Sequence, residues 1–102
     1  MGENVREQNR QEYYLRLMSE GHKLYQLGWY GPAMGRFRHA AVVRPQSQNA
    51  HLWIARSAMR TGRYEVARAA AERAIAISPN NEAAREARAL LDQLKVVERE
   101  RL

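Results

Sequence analysis

The chain repeats itself with a period of 34 residues, and this self-similarity limits the architectures open to it. Five residue pairs share the offset: Gly28 and Gly62, Tyr30 and Tyr64, Ala33 and Ala67, Ala40 and Ala74, and Pro45 and Pro79. The repetition defines two units, residues 14–47 and 48–81. We therefore expect one supersecondary structure to occur twice.

The helix-ending residues of the second unit are placed as in a helical hairpin. Ala50–Arg60 contains no helix breaker, Gly62 can adopt the left-handed conformation that ends helices, and Tyr64–Ile77 runs unbroken towards Pro79. This order predicts a helix, a tight turn and a second helix that packs antiparallel to the first.

The first unit repeats this order, with helices predicted over Tyr13–Leu27 and Pro32–Val43 on either side of Gly28 and a stop at Pro45. Gly35 falls in the middle of the second of these helices and should cost about 1 kcal/mol relative to Ala. Either close packing requires this glycine or the first hairpin is the weaker of the two.

The pattern resembles the tetratricopeptide repeat, which has a 34-residue unit, a turn glycine, a following tyrosine, a terminal proline and small residues where its helices cross. Gly21 and Ala55 stand at such crossing positions on the first helices. The resemblance implies an all-α fold, a right-handed superhelical stack of two helix-turn-helix units. Glu20 and His51 depart from the family pattern, because bulky apolar residues are usual at their positions.

The segment 82–95 carries an amphipathic stripe of helical spacing and resembles the capping helix of such arrays. Its predicted polar outer face consists of Glu86, Arg88, Asp92 and Gln93. We therefore expect a polar N-terminal extension at 1–12, flexible or helical, a repeat domain at 13–95 and a tail at 96–102.

The chain has no Cys, which excludes disulfides, thiolate metal sites and cysteine nucleophiles. No stretch has the roughly 20 apolar residues of a spanning helix, and residues 1–11 are polar. These features predict a cytoplasmic protein without membrane insertion. The net charge is +6, and residues 13–64 hold eight basic residues against the single acid Glu20.

The resemblance also implies that the first helices of successive units line a concave groove. The residues it places there are Met18, His22, Tyr25, Gln26, Asn49, Leu52, Trp53, Arg56, Met59 and Arg60. Methionine, aromatic and arginine side chains on one surface favour peptide binding. The alternative is that Met18, Leu52, Trp53 and Met59 belong to the core between helices, and the apolar pattern does not separate the two cases.

Some members of the family bind acidic carboxyl-terminal tails of heat-shock chaperones through a clamp of Lys, Asn and Arg residues. The corresponding positions hold Met18, His22, Trp53, Ala83 and Ala87, none of which can play that part. We therefore expect a different partner.

Arg56, Arg60 and Arg63 are predicted to form a short basic ridge, for which a merely solvated charged face is the alternative. The three histidines lack the close spacing of metal ligands, and no nucleophile with an adjacent base or phosphate-binding loop is visible. We expect neither a metal, a cofactor nor an enzymatic activity.

The leading hypothesis is a protein–protein interaction module, an adaptor, scaffold or assembly chaperone of bacterial type that holds a partner segment in its groove. One alternative is a basic helical repeat that binds nucleic acid. Another is a piece of a longer array or a self-associating homodimer, because about three repeats are usually needed for stability.

Overall fold

The computed structural model describes residues 2–101, and side-chain surroundings from residue 4 onwards. This part of the chain forms five α-helices and no strand. They are α1 (Gly2–Gln26), α2 (Tyr30–Val43), α3 (Gln48–Arg60), α4 (Tyr64–Ile77) and α5 (Glu82–Arg101). Helix α1 pairs with α2 and α3 with α4, while α2 packs on α3 and α5 covers α4 and part of α3. The expected all-α stack of two hairpins followed by a further helix is confirmed.

The two hairpin turns have the same backbone conformation, 34 residues apart. Gly28 and Gly62 have φ values of 83° and 73°, in the left-handed region that favours glycine. The residues after them, Trp29 and Arg63, both have φ near −90° and ψ near 70° as they start α2 and α4. The sequence repeat therefore has a direct counterpart in backbone geometry.

The first and last helices extend beyond the bounds predicted for the repeat domain. Helix α1 begins at Gly2, not Tyr13, because residues 2–12 contain no breaker, and Arg44 at the end of α2 contacts Glu7 and Gln11 on this segment. Helix α5 continues past Lys95 to Arg101, since an ion pair between Arg68 and Glu98 ties its last turns to α4.

Small residues set the distance between the helices. Most of the core side chains in the second helices are alanines, which together with Phe37 are fully or almost fully buried. Gly21 of α1 lies against the ring of Phe37, and a Cβ built on Gly21 would come within 2.5 Å of Cε1. Gly35, in contrast, has no atom within 4 Å of such a Cβ, so close packing does not require this glycine.

The two departures from the repeat pattern are accommodated at the surface. Glu20 forms a 3.1 Å ion pair with Arg36 across the first hairpin, and the ring of His51 hydrogen-bonds the carbonyl of Pro45 at 2.9 Å. Both side chains therefore have polar partners where the family pattern has apolar packing.

Candidate functional site

A groove opens on the side of the stack where α1, α3 and α5 come together. It encloses a volume of ≈ 350 Å³. Its lining consists of Tyr25, Trp53, Arg56, Met59, Arg60, Glu86, Ala89, Leu90 and Gln93. We call this surface the groove.

Trp53 lies at the centre of an aromatic cluster beside the groove. His22 and Tyr25 meet it edge-on, with ring centroids 4.5 and 5.2 Å away and interplanar angles of 89° and 84°. Such T-shaped contacts are the favoured arrangement of aromatic rings. Trp53 is only half-buried, so part of a large and rigid apolar surface remains available in the groove.

Arg56 connects two helices of the groove. Its guanidinium lies 4.6 Å from the centroid of the Trp53 ring and makes a 3.0 Å ion pair with Glu86 of α5. A cation over the face of an indole is attracted by the negative potential of the ring. Arg56 therefore links α3 to α5, and its charge already has a carboxylate partner.

Arg60 is held differently. Its guanidinium lies 4.5 Å from the centroid of Tyr30 and donates a 2.6 Å hydrogen bond to the Tyr30 hydroxyl. Tyr30 is in turn packed edge-on against Tyr25, at 4.8 Å. Among residues 4–101 no carboxylate lies within ion-pair distance of Arg60, so its remaining donors face an exposed surface in a fixed orientation.

His22 is a neutral member of this cluster. Burial among Phe37 and Trp53 lowers its pKa from the ordinary value of 6.5, and the nearby positive charge of Arg56 lowers the pKa further. The neutral ring suits an aromatic cluster, because a charged imidazolium would lose its hydration there.

The structure divides the predicted groove residues into three groups. Tyr25, Trp53, Arg56, Met59 and Arg60 line the groove together, and His22 supports Trp53 from beside it. Met18 and Leu52, exposed by 7 % and 2 %, lie in the core because they face the helix partners of α1 and α3, so they have little surface to offer a partner. Gln26 and Asn49 are exposed but do not line it, Asn49 being about 16 Å along α3 from Arg60.

Four groove residues were missed by the sequence analysis, namely Glu86, Ala89, Leu90 and Gln93 of α5. The sequence predicts Glu86 and Gln93 on the polar outer face of the cap, whereas the structure places both in the lining of the groove. They face the groove because α5 packs against α3 as well as α4. Their spacing around Leu90 was the available signal, since residues 86, 90 and 93 share one side of a helix.

The predicted ridge of three arginines is also corrected. Helix α3 ends at Arg60, and Arg63 lies past Gly62 as the residue that precedes α4. Arg63 borders a separate hollow with Tyr64 and Arg101. Only Arg56 and Arg60 therefore contribute to the groove.

Comparison with known families agrees with the geometry of the second hairpin. Residues 48–81, which span α3 and α4, match the sequence profile of the tetratricopeptide repeat. Residues 48–81 form a tetratricopeptide repeat. No curated protein sequence matches the chain. Tetratricopeptide repeats are generally protein–protein interaction modules. The groove of this protein is formed by the first helix of each hairpin together with α5.

Within residues 2–101 no helix is both long and apolar enough to cross a membrane. The same part of the chain brings no three His, Asp or Glu side chains together in a way that could hold a metal ion.

Proposed function

We propose that this protein is an adaptor, scaffold or assembly chaperone that binds a segment of a partner polypeptide in the groove. The half-exposed Trp53 supports the proposal most directly, because its position is fixed by His22, Tyr25 and Arg56 before any partner arrives. Preorganised aromatic and arginine side chains are typical binding hot spots, since little conformational entropy is lost on association.

The chemistry of the groove favours a partner segment with an apolar side chain next to an acidic one. Trp53, Met59 and Leu90 offer an apolar surface, while Arg60 presents guanidinium donors that Tyr30 holds in place. A charge-assisted hydrogen bond of this kind contributes about 1.5–3 kcal/mol. Arg56 acts mainly by orienting Trp53, because Glu86 already balances its charge.

The first experiment is affinity purification from cell extract with and without nuclease, followed by mass spectrometry. It uses the wild-type protein and Trp53→Ala, with Trp29→Ala as the matched control, because Trp29 is exposed in the first turn and does not line the groove. We expect proteins that survive nuclease, that are lost with Trp53→Ala and that are retained with Trp29→Ala. Circular dichroism must show that both variants keep their helical content.

The second experiment tests the charge of Arg60. Arg60→Glu should weaken the recovered partner roughly tenfold or more, whereas Arg73→Glu, on exposed α4 surface, changes the net charge equally and should have little effect. Binding should fall only moderately with salt, because few charges are engaged. Complete loss of partners on nuclease treatment, with a steep salt dependence, would instead support the nucleic-acid alternative suggested by the basic residues of 13–64.

A further inference from the structure

A second hollow lies at the opposite end of the first hairpin, where the N-terminal half of α1 extends past the end of α2. It consists of two adjoining volumes of ≈ 780 and ≈ 410 Å³ that share Arg10, Val43 and Pro45. Its other walls include Arg6, Tyr13, Tyr14, Val42 and Arg44. We call this surface the N-terminal hollow; it shares no lining residue with the groove.

The N-terminal hollow exposes an unusual amount of apolar surface. Val42 is 76 % exposed, although it is a large hydrophobic residue, and Tyr13 beside it is 46 % exposed. Contiguous exposed apolar side chains with a charged rim are characteristic of binding surfaces.

The rim of this surface is positively charged. Arg6, Arg10 and Arg44 line the hollow, while the carboxylate of Glu7 contacts both Arg44 and, at 3.5 Å, Arg10. Arg44 is also fixed by a 3.1 Å hydrogen bond to Gln11. Glu7 therefore pairs with two of the three arginines, so an excess of positive charge remains at the hollow and attracts negatively charged groups.

Size and charge together select the kind of ligand. The volume is far larger than a single anion, which occupies a space comparable to a few waters of about 30 Å³ each. The floor of Val42, Val43 and Pro45 favours aliphatic side chains over stacked bases, and Tyr14 directs its hydroxyl to Ser47. A second copy of this chain is a less favourable occupant, because α5 carries acidic and basic residues in equal number and offers no concentrated negative charge to the hollow.

We propose that the N-terminal hollow is a second docking surface, which binds an amphipathic polypeptide segment with acidic residues beside aliphatic ones. The segment places its apolar side chains on Val42, Val43 and Tyr13, and its carboxylates reach Arg6 and Arg10. The protein thus carries two polypeptide-binding surfaces on separate parts of the stack.

The test uses a synthetic amphipathic peptide with leucines at helical spacing and glutamates elsewhere, added to the whole protein while backbone amide shifts are followed by NMR. We expect shift changes that cluster at residues 5–13 and 42–47. A peptide with glutamines in place of the glutamates should bind about tenfold or more weakly. Arg6→Glu/Arg10→Glu should cause a similar loss, while Arg73→Glu/Arg99→Glu, with the same change in net charge, should change the affinity less than about twofold.

Several results would overturn the proposal. Shift changes confined to Trp53 and Arg60 would place the peptide in the groove, and equal loss in both charge-reversal variants would show a non-specific attraction. Tighter binding of an oligouridylate than of the acidic peptide at the same amides would assign the surface to nucleic acid. A concentration-dependent mass that Arg6→Glu/Arg10→Glu abolishes would assign it to a second copy. The Val42→Ser variant is a second test, because it leaves the sequence of α1 unchanged. It should still weaken binding of the acidic peptide.

Discussion

The hydroxyl oxygen of Tyr14 lies 2.6 Å from that of Ser47, and this hydrogen bond joins the start of one repeat to the residue that caps the first helix of the next. The same relationship recurs 34 residues later. Gln48 and Asn81 exchange hydrogen bonds of 3.1 and 2.6 Å, and Asn81 accepts from the backbone amide of Ala84 in α5. Each hairpin is thus fastened to the following helix by its capping residue.

Ser47→Ala should lower the free energy of unfolding by about 1–2 kcal/mol, because it removes the side-chain cap of α3 and also the partner of Tyr14. Urea unfolding followed by circular dichroism measures this change. Ser19→Ala, at an exposed site within α1, is the control and should have almost no effect. An equal effect of the two substitutions would show that the cap contributes little.

Two glycine substitutions should act in opposite directions. Gly21→Ala should lower the free energy of unfolding by about 1–2 kcal/mol, because the new methyl group would overlap the buried ring of Phe37. Gly35→Ala should raise it by about 1 kcal/mol, since its site is open and Ala has the higher helix propensity. Thermal melts of the two variants measure these changes in stability. A Gly21→Ala protein more stable than the wild type would show that α1 and α2 can move apart without a loss of free energy.

Stability should decrease in mildly acidic solution because of His22. Its pKa is lowered in the folded protein by burial and by Arg56, so the unfolded chain binds a proton first as the pH falls through 6.5. The free energy of unfolding should therefore be highest above pH 6.5, fall below it, and level off once the folded protein is also protonated. Urea unfolding at a series of pH values tests this, with His22→Gln expected to show a flatter dependence. An identical pH profile in that variant would remove His22 as the cause.

Deletion of residues 82–102 should leave a protein that aggregates or melts without cooperativity. Ala84, Ala87 and Leu94 of α5 are completely buried, and their removal would expose the apolar surfaces of α3 and α4 to water. Light scattering and thermal melts provide the measurement. Deletion of residues 99–102 alone is the control, because the described residues there, 99–101, are exposed, and this protein should remain cooperative. A stable monomer without α5 would show that two hairpins suffice.

The sequence by itself determined the repeat architecture, because the features that carry it act locally. Gly28 and Gly62 permit the left-handed turns, and Pro45 and Pro79 mark the chain beyond each second helix. These effects depend on the backbone of one or two residues, so they can be recognised in a linear pattern. The sequence left the segment 1–12 open between a flexible and a helical form, and contacts of Arg44 with Glu7 and Gln11 hold residues 2–12 against the end of α2.

Only the tertiary structure decided which residues form the groove. Met18, Leu52 and Trp53 are all large apolar residues on first helices, and the rotation of each helix against its neighbours determines that Trp53 is half-exposed while Met18 and Leu52 are buried. The ion pair between Arg56 and Glu86 spans 30 positions and depends on how α5 crosses α3. Helical periodicity specifies which residues share a face, but burial depends on what that face meets, and this is a property of the assembled stack.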